Sequence, residues 1–151
     1  MRVNIAKSFL IFLAICCMAA VAAGQETRAK ILPNPVLVLV GLESYTSGGK
    51  QFTRYRYSVD NFTAYPNELF APAPALPPCG VNKNASRSWV DIFDQRGKRL
   101  NGFCALGKPG DLNGIWFSLE SSDVPPSWIY IEINDRQTNT KYKSNLAETT
   151  L

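Results

Sequence analysis

The sequence contains no histidine. That absence removes every Ser-His and Cys-His nucleophile system and every imidazole-ligated metal centre. Cysteine is scarce. Cys16 and Cys17 lie in the N-terminal apolar stretch, and only Cys79 and Cys104 follow it. Those two form no Cys-x-x-Cys and are too few for a zinc site, so neither redox nor metal chemistry is spelled out. Charge of one sign is also lacking: 16 Lys+Arg face 12 Asp+Glu. The basic residues cluster only at Arg54/Arg56 and at Arg96/Lys98/Arg99, which is too little for a nucleic-acid partner. No apolar run reaches the roughly 20 residues that cross a bilayer.

The N-terminus carries a targeting pattern instead. Arg2 and Lys7 precede an apolar run from Phe9 to Ala23, followed by Ala22-Ala23-Gly24 and the polar Gln25-Glu26-Thr27. Positive charge, apolar stretch, small residues and polar start, in that order, make residues 1–24 a cleaved signal peptide. Ile15 before Cys16, and an apolar run that continues past it, argue against lipidation. The mature chain is expected to be secreted or periplasmic, with no stable membrane anchor after cleavage. In such a compartment an even pair of cysteines reads as a disulfide, so Cys79 is expected to pair with Cys104. Closing that loop would add about 3 kcal/mol in the chain-entropy picture.

Residues 25–34 read as an extended lead-in carrying Pro33. Strand signals then follow one another. Val36 to Tyr45 is β-branched and apolar, and Ser47-Gly48-Gly49-Lys50 is a turn. From Phe52 to Asn61 the residues alternate, with Thr53, Tyr55, Tyr57 and Val59 on one side and Phe52, Arg54, Arg56 and Ser58 on the other. Period two with aromatic and β-branched residues means a half-buried strand. Pro66, Pro72, Pro74, Pro77 and Pro78 forbid a central strand across 62–86 and leave a long Pro-rich connection. Further strands are expected at Ser88–Asp94, Arg99–Leu106, Leu112–Glu120, Trp128–Asn134 and Lys141–Leu146, with hairpin turns at Asp94-Gln95-Arg96-Gly97 and Gln137–Thr140. Residues 148–151 are expected to be a disordered tail.

About seven strands, short turns and no helix make an all-β chain: a single antiparallel sandwich over 35–147. This architecture resembles the immunoglobulin-like and fibronectin type III-like domains. Cys79 and Cys104, with Trp89 between them, do not resemble the inter-sheet pair of antibody domains. Four local runs resemble a group of small, uncharacterised exported bacterial proteins: Leu76-Pro77-Pro78-Cys79-Gly80, Ser86–Phe93, Gly102–Leu106 and Ile129–Arg136. That likeness implies no activity and no site residues.

Catalysis has little to stand on. The carboxylate pairs Asp91/Asp94, Glu132/Asp135 and Asp111/Asp123 occupy turns or outward strand positions. Asp111-Leu112-Asn113-Gly114 is a fragment of a calcium loop without its other oxygen ligands. No enzyme activity, cofactor or metal is expected. Asn61-Phe62-Thr63 and Asn84-Ala85-Ser86 match the glycosylation pattern.

Recognition has more. Asp91 should not be buried unpaired, so Trp89 and Phe93, which share its side of the strand, face outward. Glu132 marks Trp128 and Tyr130 as outward in the same way. If the two strands are neighbours, four aromatics share one outer face and form a binding surface, unless residues 62–86 fold over them. The expected function is a non-catalytic module that recognises a protein or a glycan. The alternative is a small secreted inhibitor or effector that inserts the rigid loop at 72–80, with Leu76, Pro77 and Pro78 at its centre.

Overall fold

A computed structural model describes residues 31–78, 86–104 and 106–151. The expected signal peptide and most of the expected lead-in lie outside the described residues, as does Cys79. The chain divides into Met1–Ile31 and Leu32–Leu151, and all that follows concerns the second unit.

Eight strands are described: β1 Leu37–Ser47, β2 Lys50–Val59, β3 Ser88–Asp94, β4 Arg99–Phe103, β5 Ile115–Glu120, β6 Trp128–Asp135, β7 Thr140–Lys143 and β8 Ala147–Glu148. Every pairing is antiparallel. A three-stranded sheet runs β1-β2-β5, and a five-stranded sheet runs β4-β3-β6-β7 with β8 also on β6. The expected fold class holds in its main point, a mostly antiparallel β chain; the count of about seven strands does not. The added strand is β8, two residues long and too short to leave a periodic signal. The expected tail is likewise tied down: Glu148 pairs with Trp128, and Thr149 is buried with its hydroxyl donating to the Pro126 carbonyl at 2.5 Å.

The β1–β2 hairpin turns on Gly48 and Gly49, at φ 57° and 77°. Two consecutive positive φ values define the two-residue turn that matches strand twist, and glycine adopts them without steric cost. The register then holds from Ser47↔Lys50 to Leu37↔Val59, with one bulge between Leu39 and Gly41. A third positive-φ glycine, Gly97 at 85°, closes the β3–β4 turn. There Asp94 accepts from the Arg96 and Lys98 amides at 2.9 and 2.8 Å.

The inner faces of both sheets meet in one core. Tyr55, Tyr57, Ile115 and Phe117 come from the smaller sheet; Val90, Ile92, Ile129, Ile131 and Ile133 come from the larger. Tyr55 stacks on Phe117 with centroids 4.8 Å apart. Burial of each such side chain contributes about 1.5–3 kcal/mol, so this core dominates the stability.

One sequence expectation needs correction here. The strand expected over Leu112–Glu120 begins only at Ile115, because Pro109–Gly114 forms a six-residue 3₁₀ turn that buries Pro109 and Leu112. Asp111 holds that turn by accepting from the Gly107 and Lys108 amides at 2.8 and 3.2 Å. The described part of the Pro-rich connection packs partly into the core. It forms 3₁₀ turns at Phe62–Ala64 and Asn67–Phe70 and sends Tyr65, Leu69 and Phe70 into the shared core.

Candidate functional site

The strands that carry the four sequence-predicted aromatics are neighbours. β3 and β6 pair from Ser88↔Asp135 to Asp94↔Ile129, which sets Phe93 opposite Tyr130 and Trp89 opposite Asn134. Val90, Ile92, Ile131 and Ile133 point into the core, so the alternate residues of both strands face out. Asp91 and Glu132 stand opposite each other on that outer face, as their charge requires.

The face is tiled by cations. Arg136 lays its guanidinium 4.3 Å from the Trp89 ring centroid. Lys143 on β7 places its ammonium 3.9 Å from the Tyr130 ring. Phe93 and Tyr130 stack at 5.2 Å. Tyr130 is thereby only 9% exposed, while Trp128 at the strand end is 40% exposed. Trp128 is thus the open member of the group. Arg99 donates to Asp91 at 2.7 Å, and Lys141 to Glu132 at 3.2 Å, so the charges between the rings are paired across strands. A shallow recess of about 360 Å³ lies beside Trp89, Asn134, Arg136 and Lys141. The Trp89 Nε1–H is buried and has no hydrogen-bond partner among the described residues.

Beneath this face lies a rigid anchor. Asp135 is buried at the end of β6, 2% exposed. Its carboxylate accepts from Arg87 Nε at 2.7 Å and Nη2, from the Thr138 hydroxyl at 2.8 Å and from the Gln137 amide at 3.1 Å. Burial alone would raise its pKa; the Arg87, Thr138 and Gln137 hydrogen bonds outweigh burial and hold it below the usual carboxylate range. The cluster ties the β6–β7 turn to the segment that enters β3.

The candidate loop joins the same end of the sheet. Leu76 is half-buried behind a turn closed by its amide on the Ala73 carbonyl, and Pro77 and Pro78 are exposed. Arg136, already over Trp89, donates to the Pro77 and Ser86 carbonyls. One arginine therefore connects loop, strand entry and aromatic face. Cys104 follows β4, half-buried, and its carbonyl accepts from the Ser86 amide at 3.5 Å.

A second outer face escaped the sequence reading. On the smaller sheet, Tyr45 stacks on Phe52 at 5.4 Å, and the Arg54 guanidinium lies 4.8 Å from the Tyr45 ring and 4.7 Å from the Trp116 ring. Glu43 completes the row at 3.3 Å from Arg54. The alternation of Phe52, Arg54 and Arg56 was legible, but their meeting with Trp116 depends on the β2–β5 register Arg56↔Trp116.

The other candidates resolve into turn and strand chemistry. Among the described residues, no three His, Cys, Asp or Glu side chains gather as a metal site. Asn61 spends its side-chain amide on Val36 and Asn34, each at 2.9 Å, which occupies the first glycosylation triplet; Asn84 lies outside the described residues. Among the described residues, no helix is long and apolar enough to cross a membrane. Compared with protein-family models, curated proteins and solved structures, the chain matches none of them.

Proposed function

We propose that the chain is an exported, non-catalytic binding module that recognises a protein or a glycan at the cell surface or in the periplasm. The observation that carries this reading is the outer face of β3 and β6. Stacked Phe93 and Tyr130 lead to an open Trp128, and paired charges surround them. Large rings held in place by neighbours lose little conformational freedom on binding, which is why such groups dominate recognition surfaces. The order of charge, apolar stretch and small residues over 1–24 supports export. An immunoglobulin-like sandwich, stapled by Cys79 and Cys104, is part of the same reading. The mass of the exported protein before and after reduction tests the staple.

Trp128 gives the cleanest functional test, because its removal leaves the Phe93–Tyr130 stack in place. Binding partners would be captured from host envelope and culture supernatant with wild type and with Trp128→Ala, after circular dichroism shows that both are folded. The reading predicts a partner retained by wild type and lost by the variant. Equal capture by both removes this face from recognition.

A further inference from the structure

β1 is an edge strand whose outer main chain, among the described residues, is sealed at one point. Asn145 occupies both the amide and the carbonyl of Leu37, so these groups point away from β2. In an antiparallel pair, alternate residues turn their polar main-chain groups away from the neighbour. Counting from Leu37 to the bulge, and back from the Ser47↔Lys50 hairpin pair, the outward residues are Leu39, Leu42, Ser44 and Thr46. No described strand pairs with β1 on that side. β7, at the edge of the larger sheet, carries Lys141 and Lys143, the usual protection. β1 carries no lysine or arginine. Its exposed side chains include Val40 at 53% and Leu42 at 45%, and its one charge, Glu43, is engaged by Arg54.

The adjoining surface is charged in a way that selects an occupant. Arg56 stands opposite Gly41 on the outer face, is exposed, and makes no ion pair among the described residues. A Cβ built on Gly41 would meet nothing within 4 Å, so the space above that glycine is open. We propose that the β1 edge from Gly41 to Thr46 receives an extended segment of a partner protein as an added strand. An acidic side chain of that segment seats over Gly41 against Arg56, and its apolar neighbours lie beside Val40 and Leu42. Main-chain bonds supply affinity in this mode, and the side-chain positions supply selectivity. The proposal rests on the binding-module reading and narrows it to a protein partner.

The test is selection from a displayed library of random dodecapeptides, followed by calorimetry on one synthetic peptide from the selected set. Selected peptides should alternate apolar residues around one Asp or Glu. Ser44→Pro should weaken the peptide about tenfold, the equivalent of one main-chain hydrogen bond. That proline loses no bond to β2, because the Ser44 amide faces outward. Gly41→Asp, which supplies the acid in cis without a clash, should weaken it comparably. Arg56→Glu should turn the selection toward Lys or Arg. The proposal fails if no peptide is selected, or if binding ignores Ser44→Pro and Gly41→Asp. It also fails if light scattering shows a dimer that Ser44→Pro dissociates, since a second copy is then the occupant. A partner lost with Trp128→Ala but indifferent to Ser44→Pro and Gly41→Asp would overturn the edge proposal and leave the module reading standing.

Discussion

Asn145 binds both main-chain groups of Leu37 with one side chain. Its Oδ1 accepts from the Leu37 amide at 2.7 Å, and its Nδ2 donates to the Leu37 carbonyl at 3.1 Å. A side-chain amide presents the same donor and acceptor as a peptide group, so Asn145 acts as a one-residue strand neighbour. Asn145→Ala should cost about 1–3 kcal/mol, from two hydrogen bonds at a part-buried site. Asn145→Asp keeps the acceptor and loses the donor, and should fall between the two. Urea midpoints for the three proteins check the order. Amide exchange at Leu37 should accelerate most in Asn145→Ala.

The Asp135 cluster should make the protein acid-sensitive. In the unfolded chain this carboxyl titrates near its ordinary value, about 3.9, while the native hydrogen bonds hold it lower. Below about pH 4 the unfolded chain therefore takes up a proton that the native state resists, and stability falls as pH falls through the native pKa. Above the unfolded carboxyl's value the stabilisation is fully present. Asp135→Asn should cost about 3–5 kcal/mol at pH 7, because Arg87 is left without its partner. Its stability should also depend less on pH between roughly 2 and 5 than that of wild type. Urea unfolding at a series of pH values measures both.

Alkali should act through the core tyrosines. Tyr57 is fully buried and donates to the Glu148 carbonyl at 3.1 Å. Burial, the larger cause, and neighbouring Tyr55 push its pKa up. The unfolded phenol ionises near pH 10 and the native one only above that, so the native state loses stability as pH rises past about 10. Tyr57→Phe removes its share of this dependence, to which Tyr55 and Tyr65 also contribute, and one hydrogen bond, for about 1 kcal/mol at neutral pH. Thermal unfolding at pH 7 and at pH 10.5 distinguishes the two effects, with the variant losing less between them.

The first hairpin makes a further prediction. Gly49 sits at φ 77°, and a Cβ there meets nothing within 4 Å. The cost of Gly49→Ala is then backbone strain alone, about 1–2 kcal/mol. Gly48→Asn, at φ 57°, should cost less, because asparagine tolerates that conformation. Denaturation midpoints of the two variants, side by side, check the ranking.

What could be read from the sequence followed local rules. Asp91 and Glu132 gave the outer side of β3 and β6, and their alternation gave the core isoleucines. Asp94 and Gly97 announced their turn. The misreadings share another cause. Leu112 continued an apolar pattern toward Ile115, but Asp111 captured the preceding amides and held residues 109–114 in a 3₁₀ turn. Tyr65 showed no period, because a Pro-rich segment commits its side chains only where the chain re-enters the core. The cations over Trp89 and Tyr130 come from Arg136, just beyond β6, and from Lys143 on β7. Their placement follows from register across strands, which no short stretch of sequence encodes.

The Asn145–Leu37 bridge also fixes an order of events. It spans 108 positions, joining the first strand to residues near the end of the chain. The β1–β2 hairpin is local and can form as soon as its two glycines turn, whereas contacts this distant in sequence form late. A chain delivered N-terminus first thus carries β1 with its outer main-chain edge unsealed along its whole length until residue 145 arrives. Val40 and Leu42 are open to any extended strand during that interval. Whatever accompanies the nascent chain meets the same surface that a partner meets later, and completion of the fold closes only its Leu37 end.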